Sequence, residues 1–174
     1  MALKALKEWF SRSTGREAAR PLYAAIIAEA RQPHWYIEGG VADTIDGRFD
    51  MINAVLSAVL VRMEALGEEA RAPSALLAEL FVDDMDGQLR EIGFGDVVVG
   101  KHVGRMVGAL GGRLGAYRGS LGSDELRDAL IRNLYRGEAP AEAALTHTRS
   151  ALERLRARLE RVTLDDLLAG RLDR

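Results

Sequence analysis

From Met51 to Val61 the chain carries no charged residue, and only Asn53 and Ser57 are polar. Apolar side chains at Phe49, Ile52, Leu56, Val59, Leu60 and Met63 keep a helical period, while Met51, Val55 and Val61 fall on other faces. A helix that is apolar nearly all round is either a membrane span or a helix enclosed by its own domain. Crossing a bilayer takes about 20 apolar residues, so this shorter run predicts a buried central helix. Just before it, Asp43, Asp46 and Asp50 surround Gly47, Arg48 and Phe49. Asp43, Thr44 and Asp46 stand where a helix N-terminus wants side-chain acceptors and negative charge.

The same pattern places further helices on either side. Leu3, Leu6, Trp9 and Phe10 share one face of a short basic start with Lys4, Lys7 and Arg12 beside it. Such a segment lies on an anionic membrane surface, or docks on the domain, or frays. Residues 1–16 are therefore set apart as an amphipathic N-terminal segment, and 17–174 as one helical domain. A helix over Glu17 to Arg31 turns Tyr23, Ile26, Ile27 and Ala30 inward and stops ahead of Pro33. His34, Trp35 and Tyr36 then crowd one linker, as a binding surface or as a lid on the core.

Gly67 to Pro73 reads as a loop, with Ser74 as N-cap of a helix from Ala75 to Ile92. Gly93 to Lys101 reads as an extended connector, since Val97-Val98-Val99 has no second strand to pair with. The next helix, Lys101 to Tyr117, carries Gly104, Gly108, Gly111, Gly112 and Gly115 beside its apolar stripe. Glycine inside a helix costs about 1 kcal/mol against alanine, so close approach of another helix is expected there. That partner is the central helix or a helix of another protein. Ser123 opens a helix with Leu126, Leu130 and Leu134 inward. A last long helix runs to about Val162 with the stripe Leu145, Thr148, Leu152, Leu155 and Leu159, and Thr163 caps a final turn. The fold expected is all-α: a single-domain bundle of six or seven helices around a buried central helix.

One carboxylate breaks the pattern. Asp83 and Asp86 project away from the apolar face of their helix, but Asp84 falls among Leu77, Leu80, Phe81 and Gln88. An ionised carboxylate there needs a partner, and Arg48 or Arg113 is the expected one.

Composition narrows the function classes. The chain has 174 residues and no cysteine, which removes disulfides, thiolate metal sites and cysteine catalysis. A formal charge of −2 gives no support to a DNA-binding protein. No run of 18 apolar residues and no signal-peptide core occurs, so a cytoplasmic-type compartment is expected. His34, His102 and His147 are scattered, and no nucleophile elbow or metal-binding His pair on one helix turn is present. Neither catalysis nor a cofactor is expected. The acidic residues Asp43, Asp46, Asp50, Asp83, Asp84 and Asp86 keep open a helical small-molecule or metal-binding domain. Arg149, Arg154, Arg156, Arg158 and Arg161 form a solvated face or meet a phosphate-rich partner such as ribosomal RNA.

Several motifs, in order and spacing, resemble the ubiquinol–cytochrome c chaperone family. The first is Asp43-Thr44-x-Asp46-Gly47-Arg48-Phe49-Asp50. The second spans Phe81 to Asp96 as FVDDMDGQLREIGFGD, including Asp83, Asp84, Asp86, Arg90, Gly93 and Asp96. Lys101, Met106, Gly112, Arg113, Ala116 and Tyr117 look like a third, and Arg132-Asn133-Leu134-Tyr135 like a fourth. The resemblance implies an assembly chaperone for the quinol–cytochrome c oxidoreductase, not an enzyme, with newly made cytochrome b as client. It also implies the ribosome and a small co-chaperone as partners, at the inner face of the cytoplasmic membrane or the matrix side in a eukaryote. Asp43, Thr44, Asp46, Gly47, Arg48, Phe49, Asp83, Asp84, Asp86, Arg90, Gly93, Asp96, Lys101, Arg113 and Tyr117 become candidate client-binding positions; Leu3, Leu6, Trp9 and Phe10 become candidate membrane contacts.

Overall fold

The structure, a computed structural model, describes residues 2–91 and 96–173; the side chains of residues 2–14, 89, 90, 96–103, 105–107 and 109 lie outside the description. Among the described residues there are eight α-helices and no strand. They are α1 (Ala2–Ala30), α2 (Pro33–Tyr36), α3 (Ile45–Leu66), α4 (Arg71–Glu91), α5 (Asp96–Ser120), α6 (Leu126–Asn133), α7 (Glu142–Leu159) and α8 (Leu164–Leu168). The expected all-α bundle is what the chain forms. Its count exceeds six or seven because two elements, α2 and α8, are barely more than one turn.

Helix α3 is the centre. Thr44, in extended conformation, accepts a hydrogen bond from the Gly47 N–H at 3.1 Å and so starts the helix. Gly67, at φ 89°, ends it. Every residue from Phe49 to Leu60 is buried. Packing against α1, α4, α5 and α7 explains why no wet face interrupts the run. Leu56 is fully enclosed, and its truncation to alanine would cost about 2–5 kcal/mol.

Several boundaries differ from the sequence reading. Helix α1 is continuous from Ala2, with Pro21 inside it, so residues 2–16 and the helix expected from Glu17 form one element. A 3₁₀ turn at Glu68–Ala70 leads directly into α4 at Arg71. Ser74 is therefore within the helix, its hydroxyl donating to the Ala70 carbonyl at 2.7 Å, and is not the cap. Pro73 falls in the first turn, where a missing N–H costs nothing. Helix α5 begins at Asp96, so Val97-Val98-Val99 is helical rather than extended.

The glycines of α5 do not serve internal packing. Gly104, Gly108, Gly111, Gly112, Gly115 and Gly119 lie on one exposed face, and a Cβ at any of them would meet nothing within 4 Å among the described residues. Helix α5 meets the core through the opposite face, with Leu110 and Tyr117 buried.

Candidate functional site

The N-terminal end of α3 holds the densest polar network in the core. Asp50 is wholly buried in its side chain, yet it is one turn from the solvent-exposed start of the helix. Two arginines reach it from different elements. Arg113 of α5 brings Nη2 within 2.6 Å of Oδ1, an ion contact without hydrogen-bond alignment. Arg136, in the turn after α6, donates from Nε to Oδ2 at 2.6 Å and from Nη1 to Asp46 at 2.9 Å. Arg136 has φ 54°, the one non-glycine residue with positive φ among those described. A strained backbone of this kind persists where its surroundings over-determine it, and the double ion pair does so here.

Aromatic rings enclose the network. The Arg113 guanidinium stands 5.3 Å over the Phe49 ring, which stacks on Phe81 of α4 at 5.7 Å. Tyr117, one turn from Arg113, is buried with its hydroxyl unpartnered, and burial pushes its phenol well above the usual range. Burial likewise pushes the Asp50 carboxyl above the ordinary carboxylate range, against the Arg136 hydrogen bond and the charges of Arg113 and Arg136.

A polar cleft of about 460 Å³ opens beside the network, lined by Thr44, Asp46, Gly47, Asp50, Tyr135 and Arg136. Gly47 is required where α3 starts, because a Cβ there would collide with the Ala42 carbonyl. Tyr135 closes the cleft from behind, donating to the Gly39 carbonyl at 2.6 Å and lying 2.8 Å from the Thr148 hydroxyl of α7. Asp43 and Arg48 pair at the rim at 2.6 Å, and that hydrogen bond holds Asp43 below the usual carboxylate range.

Asp84 does not meet either expected arginine. It accepts hydrogen bonds from the Tyr23 hydroxyl at 2.7 Å and from Gln88 at 2.9 Å, and is only half-buried. Helix α1 passes over α4 at this point and supplies the phenol, while Arg48 and Arg113 are engaged by Asp43 and Asp50. Asp83 pairs with Arg16 of α1 and is exposed; Asp86 is half-buried. The two acidic groups are thus separately engaged, and among the described residues no three His, Asp or Glu side chains converge as a metal site would need.

Among the other sequence-selected positions, Gly47, Phe49 and Tyr117 face the core. Gly93 and the side chains of Arg90, Asp96, Lys101, Leu3, Leu6, Trp9 and Phe10 lie outside the described residues. Asp50 as a buried ion and Arg136 as its partner were not singled out by sequence. The available signal was that Asp50 is the last charge before the uncharged run, so the apolar collar had to close over it.

A family model described as ubiquinol–cytochrome C chaperone matches residues 38–174. The chain belongs to this family. The match spans most of its length, and membership implies a chaperone and assembly factor. The crystal structure of the Cbp3 homolog from Brucella abortus is similar at a TM-score of 0.77 and 29% identity, over 98% of this chain and 94% of that one. Among proteins of curated function, none matches the chain. The segments read from sequence as the first, third and fourth motifs meet physically at Asp50, Arg113 and the turn that carries Arg136. In this member of the ubiquinol–cytochrome c chaperones they lock α3, α5 and the α6–α7 turn in register.

Proposed function

We propose that the protein is an assembly chaperone of the quinol–cytochrome c oxidoreductase that binds newly made cytochrome b and assists its maturation. The family match over residues 38–174 carries this reading. The exposed members of the motifs, Asp43, Asp46, Arg48 and Asp83, form the client-facing part of the surface, and Phe49, Asp50, Arg113 and Tyr117 hold it in shape from beneath. Residues 1–16 contribute a membrane contact at the inner face of the membrane, while 17–174 form the chaperone domain; the ribosome and a small co-chaperone are further partners. Among the described residues no helix is long and apolar enough to cross a membrane, so contact with a membrane-made client is peripheral in this reading.

Deletion of the gene should lower the assembled quinol–cytochrome c oxidoreductase on native gels and leave other respiratory complexes at normal levels. Cytochrome b should co-purify with the tagged protein. A deletion strain with normal amounts of that complex contradicts the proposal.

A further inference from the structure

At the other end of α7 from its start, a second cleft of about 400 Å³ opens between α1, α2 and α7. Arg154 and Arg158, one turn apart on α7, line it together with Arg161 of the turn that follows the helix. Glu29 of α1 is the single carboxylate in the lining, and His34 and Trp35 of α2 form the opposite wall. That wall is fixed. Trp35 is buried and donates from Nε1 to the Glu29 carbonyl at 2.8 Å; the His34 ring lies tilted against it at 4.3 Å and is 3.0 Å from His147.

The charges in the cleft are not balanced. Elsewhere on α7, Arg149 pairs with Asp124 at 2.7 Å and Arg156 with Glu153 at 3.0 Å and with Glu160. Inside the cleft, Arg158 reaches Glu29 at 3.1 Å through Nη2, but its Nε is buried without a hydrogen-bond partner. The side chains of Arg154 and Arg161 make no hydrogen bond or ion pair among the described residues. Three guanidinium groups thus face one carboxylate. Cations do complement the C-terminal end of a helix, and Arg158 gains from that; Arg154 lies before the last turn, so the helix dipole does not account for it.

We propose that this cleft binds the phosphoryl group of a small phosphorylated ligand. Guanidinium forks match the several oxygens of a phosphoryl group, and three of them offer more donors than one carboxylate ligand accepts. The volume leaves room for an organic body beside Ala151, Ala157 and the His34 ring. The cleft is half open, with Arg154 and Arg161 exposed at its edge, and its volume of about 400 Å³ is that of a small-ligand site. His34 reports on occupancy. It is flanked by Glu29 of α1, Glu38 of the following loop, and His147 and Arg154 of α7, and its burial, His147 and Arg154 all hold its proton affinity down. An anion that neutralises Arg154 removes one of the charges that hold this affinity down, and so raises it.

The test is calorimetry of the full chain with pyrophosphate at low ionic strength, with vesicles containing phosphatidic acid as a parallel arm. Binding to pyrophosphate identifies a soluble source, and binding only to the vesicles identifies a lipid headgroup. In either arm, Arg154→Gln with Arg161→Gln should weaken binding at least about tenfold, as loss of charge-assisted hydrogen bonds does, while Arg149→Gln should leave it unchanged. Neither Arg154 nor Arg161 holds another element, so the unfolding midpoint of the double variant should match the parent, and Arg154→Gln alone provides a second reading. The His34 ring should titrate at higher pH in the bound protein. Absence of binding in both arms, binding that the double variant retains, or affinity for RNA alone overturns the proposal.

Discussion

Asp50 lies fully buried between Arg113 and Arg136, whereas Asp84 shares its charge with a phenol and an amide at a half-open site. The two carboxylates should therefore respond very differently to removal. Asp50→Ala leaves Arg113 without a counter-ion inside the fold, and should cost about 3–5 kcal/mol. Asp84→Ala removes two hydrogen bonds and should cost about 1–2 kcal/mol. Urea midpoints at unchanged slope measure both; a larger loss at Asp84 would contradict this assignment. His34 supplies the pH dependence. Its folded pKa is lowered, chiefly by burial and then by His147, so the unfolded chain binds the proton more readily. The stability it contributes is present above the ordinary imidazole pKa of about 6.5 and is lost as pH falls through the folded value. Unfolding midpoints between neutral and mildly acidic pH should fall less steeply in His34→Gln. The pairing of Asp84 with Arg48 or Arg113 expected from sequence does not form, and the buried carboxylate at Arg113 is Asp50 of α3. Helical projection ranks faces within one element, and cannot say that α1 crosses α4 beside Asp84 and brings Tyr23 with it.

Helices followed the sequence where one strong pattern dominated and departed from it where local signals competed. Helix α3 was legible because its uncharged run, its capping Thr44 and the Gly67 stop agree with one another. Helix α5 was legible in its stripe but not in its start, since β-branched valines only weakly disfavour helix and packing against α3 and α4 overrides them. Its glycines misled for a related reason. Spacing shows that they share a face, but not whether that face is covered. Because a Cβ there meets open space, Gly108→Ala and Gly112→Ala should each stabilise the isolated protein by about 0.5–1 kcal/mol through helix propensity alone. Thermal unfolding would show this, and destabilisation by either change would mean that the face is occupied in solution.

At the scale of the whole molecule, α1 joins the amphipathic start to its own packed part without a break. A segment of about ten residues is marginal as a helix in water, so continuity with the packed part of α1 gives it a nucleus. If residues 2–14 then lie on an anionic bilayer, flotation with anionic liposomes should fall in a chain starting at Gly15, and should fall with added salt as each basic residue contributes about 1 kcal/mol near the surface. Equal flotation of both chains would remove the N-terminus from membrane contact. By itself the sequence determined the helical class, the central position of α3 and, through four spaced motifs, the family. Those features are written in period and order, because a residue's wetness and its place in a motif are properties of the chain. Tertiary structure alone decided that Asp50 is the buried ion, that Arg136 takes positive φ to reach it, that the glycine face is open, and that Arg154 and Arg161 share a cleft with His34. Each depends on which helices meet and at what distance, and burial and ion pairing act across those contacts rather than along the chain.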